Sequence, residues 1–317
     1  MEMKVYIPPI KIQGIKTKLI PSIIKNIDID NQTTWIEPFF GSGVVGFNVN
    51  PQNAIFADSN PHIINFYKAI QDKKITSNIV RRFLEEEGKK LNDFGEAYYY
   101  EVRDRFNANS NPLDFLFLNR SCFNGMIRFN RNNKFNVPYG HKDSRFSKSY
   151  ITKIVNQIKH IEEIMDKKNW IFLCQSFEET IKLADGKKSF LYCDPPYIGR
   201  HVDYFDSWDE SLEKELKESL EKSGSKFMLS TWDHNQYRKN EYIDTLWGFC
   251  NKVLKDHYYF VGAKEQNRTP MVEALLTNYT LEDKKEIDNV INDNIQLTFE
   301  QLNWNESVDD VKNIVAI

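Results

Sequence analysis

An apolar run, Phe190-Leu191-Tyr192-Cys193, stops at an acid, two prolines and an aromatic, Asp194-Pro195-Pro196-Tyr197. Consecutive apolar residues without polar alternation read as a strand buried on both faces. Proline cannot donate to a β-ladder, so the strand ends where the prolines begin. Such a strand belongs inside an open α/β sheet, whose strands present their carboxyl ends to the ligand crevice. Asp194, Pro195, Pro196 and Tyr197 are thereby placed at the mouth of a site. A carboxylate and a proline carbonyl both accept hydrogen bonds and can orient a planar exocyclic amine. Tyr197 can stack on the ring that carries the amine. By itself the tetrapeptide fits a strand-end turn equally well, because Asp-Pro-Pro is good turn chemistry.

The rest of the chain supplies the sheet. Residues Trp35 to Gly46 read as strand, glycine turn and helix, with Gly41, Gly43 and Gly46 in the G-x-G-x-x-G spacing. That spacing alone says only that a ligand touches backbone at a strand–helix junction. Ala54 to Ala57 reads as a second strand ending in Asp58, placed to hold ribose hydroxyls or to cap the helix that Pro61 opens. Further strands are expected at 170–174, 226–230, 257–261 and 271–276, and helices at 17–27, 61–71, 78–90, 94–106, 149–165, 178–184, 212–222 and 242–249. The opening segment, Ile7 to Pro21, is a loop with Lys11, Lys16 and Lys18 around Gly14. From spacing alone Lys16 fits a plain basic loop better than a ligand contact.

Charge is unevenly placed. The net charge is -3, yet from Asn119 to His160 nine lysines and arginines face one acid, Asp143. A basic segment interleaved with aromatics in a near-neutral chain suggests a local polyanion contact. After Tyr279 acids dominate, and such runs are usually solvated. The four cysteines form no Cys-x-x-Cys pair, so no zinc site and free thiols in a reducing cytoplasm are expected. No apolar stretch approaches the roughly 20 residues of a membrane span.

In this order the motifs resemble the Dam-like DNA adenine-N6 methyltransferases. The resemblance rests on Lys11 to Lys16, the turn Glu37-Pro38-Phe39-Phe40-Gly41-Ser42-Gly43, the segments Asn119–Asn130 and Phe135–Gly140, and Asp194 to Tyr197. It spans residues from about 8 to 279. Two positions depart from the family pattern. Ile12 stands where an aromatic often stacks on the cofactor, and Glu37 stands where Asp opens the glycine turn.

The resemblance implies a doubly wound, Rossmann-like α/β methyltransferase sheet carrying an inserted, mainly helical target-recognition domain. Residues 1–70 and 166–280 would bind S-adenosylmethionine, 71–165 would recognise the target, and 281–317 would form an acidic extension. Ile12, Gln13, Lys16, Glu37, Phe39, Gly41, Gly43, Asp58, Ser176, Phe177 and Asp194 would hold the cofactor, released as S-adenosylhomocysteine. Lys16 would meet its methionine carboxylate. Asp194, Pro195, Pro196 and Tyr197 would hold an adenine flipped out of duplex DNA. Lys11, Arg120, Phe123, Asn124, Arg128, Asn136, Pro138, Tyr139, Lys142 and Arg145 would face the DNA, with Phe123 and Asn124 entering the stack and Arg128 reading a base. No metal is called for. A bacterial or phage cytoplasm and a cognate restriction endonuclease fit the family. The rival readings are a dinucleotide-dependent enzyme, an RNA adenine or N4-cytosine methyltransferase, and a non-catalytic nucleic-acid-binding protein on the same fold.

Overall fold

Alternate residues of the short apolar strands pack into two different cores. Trp35, Phe190, Tyr192, Met228 and Leu275 belong to one, and Ile36, Leu191, Phe227, Leu229 and Leu276 to the other. That alternation is the period-2 pattern of strands covered on both faces. The computed structural model describes residues 3–27, 29–197, 208–258 and 270–280. Residues 259–261 of the expected 257–261 strand and the acidic segment 281–317 lie outside them.

The strands are β1 (Thr34–Glu37), β2 (Asn53–Asp58), β3 (Asn169–Cys174), β4 (Ser189–Cys193), β5 (Lys226–Asn235), β6 (Asn251–Tyr258) and β7 (Pro270–Thr277). They form one seven-stranded sheet in the order β3-β2-β1-β4-β5-β7-β6. β1 to β5 pair in parallel, and β7 runs antiparallel between β5 and β6. The expected α/β sheet is present. Strand order reverses between β1 and β4, which is the switch point where open sheets bind ligands.

The helices are α1 (Ile20–Asn26), α2 (Val44–Val49), α3 (Pro61–Gln71), α4 (Ser77–Asn109), α5 (Pro112–Ser121), α6 (Lys148–Met165), α7 (Phe177–Ile181), α8 (Glu210–Ser223) and α9 (Glu241–Thr245). Most starts have a chemical cause. Asn60, Asn111, Ser147 and Asp209 each accept a hydrogen bond from a first-turn amide, as good N-caps do. α4 to α6 cover the first core face, where Tyr99, Phe115, Leu116 and Ile158 share one cluster with Trp35 and Phe56. The helical block therefore rests on the sheet through continuous apolar packing.

Several elements differ from the sequence expectation. β5 runs on to Asn235, five residues past 230, through mostly polar residues that no apolar run announces, and α7 ends at Ile181 instead of 184. Three more elements differ. The two helices expected at 78–90 and 94–106 form one 33-residue element, broken at Gly95 with φ +56° and ψ -132°. Glycine takes that conformation without a Cβ penalty. β6 starts at Asn251, six residues before the expected His257. On this edge strand Asn251, Lys252 and Leu254 are exposed, so no apolar run announces it. α9 ends at Thr245 instead of 249: the Leu246 amide still bonds to the Tyr242 carbonyl, but the next amide, of Trp247, also turns back to Tyr242 and the regular ladder stops.

Candidate active site

Parallel pairing of Ile36 with Leu191 puts the ends of β1 and β4 side by side. The glycine turn after β1 therefore stands next to Asp194. β2 brings in Asp58 from the other side. Its Oδ2 accepts the Gly41 amide at 2.8 Å and its Oδ1 the Asn60 amide at 2.8 Å. Burial raises its pKa, and the two amides oppose the shift. The sequence left a choice between ligand contact and helix cap. The structure shows Asp58 tying the glycine turn to the start of α3.

Gly41 and Gly43 have φ of +52° and +77°. A Cβ on Gly43 would fall 2.4 Å from the Phe47 ring, whereas one on Gly41 would meet only Ile12 Cδ1 at 3.6 Å. Gly43 is thus required by packing, while Gly41 keeps the backbone open beside Ile12. Glu37 is 2% exposed and accepts the Trp35 indole N–H at 3.1 Å. It sits beneath the turn, where burial drives its pKa well up.

Asp194 is held by two partners. Its Oδ2 pairs with Lys16 Nζ at 2.9 Å, and its Oδ1 accepts the Ser230 hydroxyl at 2.8 Å. The Tyr192 hydroxyl donates in turn to Ser230 at 3.1 Å. Lys16 is 4% exposed, also donates to the Gly14 carbonyl at 2.7 Å, and lies 4.9 Å from the centroid of the Tyr197 ring. Its ammonium therefore faces the Asp194 carboxylate directly. Tyr197 donates its hydroxyl to Glu273 Oε1 at 3.0 Å, which fixes the angle of its ring. The sequence reading missed Ser230 and Glu273. Glu273 did leave a signal, as a lone acid within the apolar strand Met271–Leu276.

Burial raises the Asp194 pKa, while Lys16 and the Ser230 hydrogen bond work against the rise and Glu273 adds to it. A folded pKa above the unfolded one stabilises the fold only at acid pH, and that stabilisation is lost as pH rises through the folded value. At neutral pH this carboxylate therefore costs stability. Lys16→Met removes the opposing cation. The acid limb of the pH–rate profile is then expected to move to higher pH, measured as kcat/KM against pH. An unmoved limb would mean that Lys16 does not set the charge of Asp194.

Phe39 stacks on Phe177 at 5.5 Å between centroids and meets Trp208 edge-on at 5.5 Å. Ser176 caps α7 by accepting the Glu179 amide at 3.3 Å. Phe39, Ser176 and Phe177 thus share one aromatic shelf beside the glycine turn.

The residues expected to face DNA divide by exposure. Phe123 is 49% exposed, and Asn124 beside it has φ +53°. They line a pocket of about 330 Å³ with Lys11, Lys142 and Arg145. Pro138 is exposed and its carbonyl accepts the Phe123 amide at 2.9 Å. Arg128 reaches Asn136 through Nε to Oδ1 at 2.9 Å and Nη2 to the carbonyl at 3.2 Å. Gln13 is exposed at the end of the opening segment.

Arg120 and Tyr139 are 2% and 1% exposed, below the surface on which they were expected. Arg120 Nη1 donates to the Pro9 carbonyl at 3.1 Å, and the Tyr139 hydroxyl donates to Asp143 at 2.8 Å. Tyr150, which the sequence did not single out, has the guanidinium groups of Arg120 and Arg145 at 4.9 and 5.1 Å from its ring centroid, and the Lys11 ammonium at 5.9 Å. Burial lowers the Lys11 pKa, and the two arginines lower it further against the opposing effect of Tyr150.

Among the described residues no group of His, Cys, Asp and Glu could hold a metal ion. No described helix is long and apolar enough to cross a membrane.

A family model described as D12 class N6 adenine-specific DNA methyltransferase matches residues 13–260. The chain is 30% identical over 310 residues to the type II methyltransferase M.MjaIII of Methanocaldococcus jannaschii, covering 88% of this chain and 100% of that protein. It is 35% identical over 202 residues to a DNA adenine methylase of Haemophilus influenzae, covering 60% and 63%. It is also 30% identical over 240 residues to the retron Ec67 DNA adenine methylase of Escherichia coli, covering 72% and 78%.

Proposed function

We propose a division of labour from the premise that the chain belongs to the D12 class of N6 adenine-specific DNA methyltransferases. The reaction is methyl transfer to the N6 amine of adenine in DNA. The observation that carries the assignment of roles is the Asp194 cluster, in which one strand-end carboxylate is gripped by Lys16 and Ser230 at the sheet's switch point.

The donor set fits S-adenosylmethionine. Asp58 is a carboxylate at the end of the second strand, placed for ribose hydroxyls. The shelf of Phe39 and Phe177 suits an adenine face. Gly41 leaves backbone accessible beside Ile12, and Gln13 stands close by in sequence. Glu37 and Gly43 act indirectly, by shaping the turn. S-adenosylmethionine, when bound, supplies the methyl group.

The chain's own residues do the positioning. Asp194 and the Pro195 carbonyl accept hydrogen bonds from the two N6–H groups, which turns the nitrogen lone pair toward the donor; one N6 proton is released once the methyl group is on the nitrogen. Pro196 stiffens the loop, since its φ is fixed. Tyr197 stacks on the flipped base, with its ring angle set by Glu273. Lys16 keeps Asp194 anionic beneath the incoming amine. Holding two reactants in line can contribute much of the acceleration without any covalent intermediate.

We assign residues 71–165 to target recognition. Phe123 and Asn124 enter the base stack, supported by Pro138. Arg128, steadied by Asn136, reads a base edge. Lys11, Lys142 and Arg145 hold phosphates around the pocket. Arg120 and Tyr139 support that surface from below. A cognate restriction endonuclease and a cytoplasmic setting complete the proposal, supported by relatives named as type II methyltransferases.

The test is incorporation of labelled methyl groups from S-adenosylmethionine into duplex DNA, with the product base identified. Label in N6-methyladenine supports the reading, and its absence with a folded, cofactor-binding protein counts against it. A second test separates reading from anchoring. Arg128→Ala is expected to relax the sequence preference, at about 1–3 kcal/mol of lost discrimination. Lys142→Ala should weaken binding evenly across sequences and reduce the salt slope by about one. Equal behaviour of the two variants would refute the split.

A further inference from the structure

We propose that Trp232 determines base specificity, its indole N–H donating to a ring nitrogen of the flipped adenine that flanks the N6 amine. The inference rests on the reading above that adenine is the base held at Asp194.

Three observations place Trp232 there. The first is the face of the strand. Ser230 and Trp232 are two apart on β5, so both side chains stand on the same face. That face carries the active site, because Ser230 donates to Asp194 at 2.8 Å. Glu273, the cross-strand partner of Trp232 in the β5–β7 ladder, binds the Tyr197 hydroxyl at 3.0 Å. The second is packing. Trp232, Tyr197 and Met271 form a small apolar cluster of their own, apart from the two main cores. The indole is thus a neighbour of the ring expected to stack on the base. The third is an unanswered donor. Trp232 is 5% exposed, and its buried Nε1–H has no hydrogen-bond acceptor among the described residues.

A buried indole N–H is normally paired, since leaving one unmade carries the full desolvation cost of the group. The other buried tryptophans show the usual pattern. Trp35 donates to Glu37 at 3.1 Å, Trp170 to the Pro51 carbonyl at 2.9 Å and Trp247 to Glu213 at 2.8 Å. Trp232 differs, and it stands on the strand face whose Ser230 holds Asp194. Its backbone is also fixed. Asn240 Nδ2 donates to the Trp232 carbonyl at 2.9 Å, and the ladder shifts register immediately afterwards, between Trp232 and His234. The Arg238 guanidinium stands 5.3 Å from the ring centroid, which discourages the indole from swinging out.

The chemistry of the base supplies the partner. With both N6–H groups hydrogen-bonded to Asp194 and the Pro195 carbonyl, adenine still offers acceptors at N1 and N7 on either side of the amine. A single indole N–H answers one of them. Guanine is refused at N1, where it carries a hydrogen, and at its O6, which meets the Asp194 carboxylate. A contact at N7 would also refuse cytosine, which has C5–H at the corresponding place.

The experiment uses duplexes of the methylated motif in which the target adenine is replaced by 1-deazaadenine or 7-deazaadenine. Each analogue keeps the amine and loses one acceptor. The full-length enzyme is expected to lose about tenfold in kcat/KM on one analogue and little on the other. Trp232→Phe is expected to lose about tenfold on adenine and nothing further on the sensitive analogue, with the KM for S-adenosylmethionine unchanged. The proposal is overturned if the native enzyme methylates both analogues as well as adenine, a result that does not depend on the variant folding. It is overturned equally if Trp232→Phe loses the same factor on all three bases. Failure of the native enzyme on adenine itself would refute the underlying functional reading instead.

Discussion

Asp194→Ala is expected to lower methyl transfer by about 10²- to 10³-fold while duplex DNA binding changes by less than about threefold. The carboxylate does two things that alanine cannot. It accepts a hydrogen bond from the N6 amine, and it supplies the negative charge that faces Lys16 at 2.9 Å and receives the Ser230 hydroxyl at 2.8 Å. The expected DNA contacts lie elsewhere, around Phe123, Asn124 and Lys142, so binding should survive. Loss of the charge also leaves the buried Lys16 without the carboxylate opposite it, which lowers stability. The double variant Lys16→Met, Asp194→Ala separates the two effects. It should regain much of the lost stability and none of the activity. Methyl transfer retained in Asp194→Ala would remove the basis for the whole assignment of roles.

Arg105→Met is expected to destabilise the protein by about 3 kcal/mol, read from the midpoint of urea unfolding. Arg105 joins two carboxylates that are each about one-twentieth exposed or less. Its Nε and Nη2 grip Asp114 at 2.9 and 2.6 Å, and Nη2 also reaches Glu87 at 2.7 Å. Removing the guanidinium strands both acids inside the helical block. Lys90 at 2.9 Å and Tyr98 at 2.6 Å would still serve Glu87, which keeps the loss toward the lower end of the range for a broken buried pair.

The pH dependence follows from Glu87. Burial raises its pKa, but hydrogen bonds from Tyr98, Arg105 and Lys90 outweigh that and leave it lowered. A lowered folded pKa gives stability that is present above the unfolded value and lost as pH falls through the folded one. The native protein should therefore lose this contribution in acid, and Arg105→Met should lose less on the same titration. A loss below about 1 kcal/mol for Arg105→Met would mean that the network behaves as a solvated surface pair.

How much of this was legible in the sequence depended on where each residue's partners lie in the chain. The sheet was readable because β1, β2, β4 and β5 are short apolar runs ended by turn residues. β6 was not, because an edge strand with one outward face carries no such run. The sequence puts the interruption at 91–93 and Gly95 inside the second helix, whereas the break falls at Gly95 and the two segments form one element, since apolar periodicity shows two segments without showing where or whether they join. In the site, the motif residues Asp194, Gly41 and Asp58 were readable because each follows a strand. Ser230 and Glu273 were not, because their value comes from hydrogen bonds with Asp194 and Tyr197, 36 and 76 residues away. Lys16 was weak from spacing alone, and only the ion pair with Asp194 separates it from its neighbouring lysines. Arg120 looked like a DNA contact because its type and charge suit one, whereas the fold buries it against Pro9 and Tyr150.

The most direct measurement is single-molecule sequencing of DNA from cells that express this chain, scored for modified bases in every context, beside cells that express Asp194→Ala. The expected result is N6-methyladenine confined to one short motif and absent with the variant. N4-methylcytosine in that motif, or unmodified DNA from a folded protein that binds S-adenosylmethionine, would contradict the roles given to Asp194, Pro195 and Tyr197.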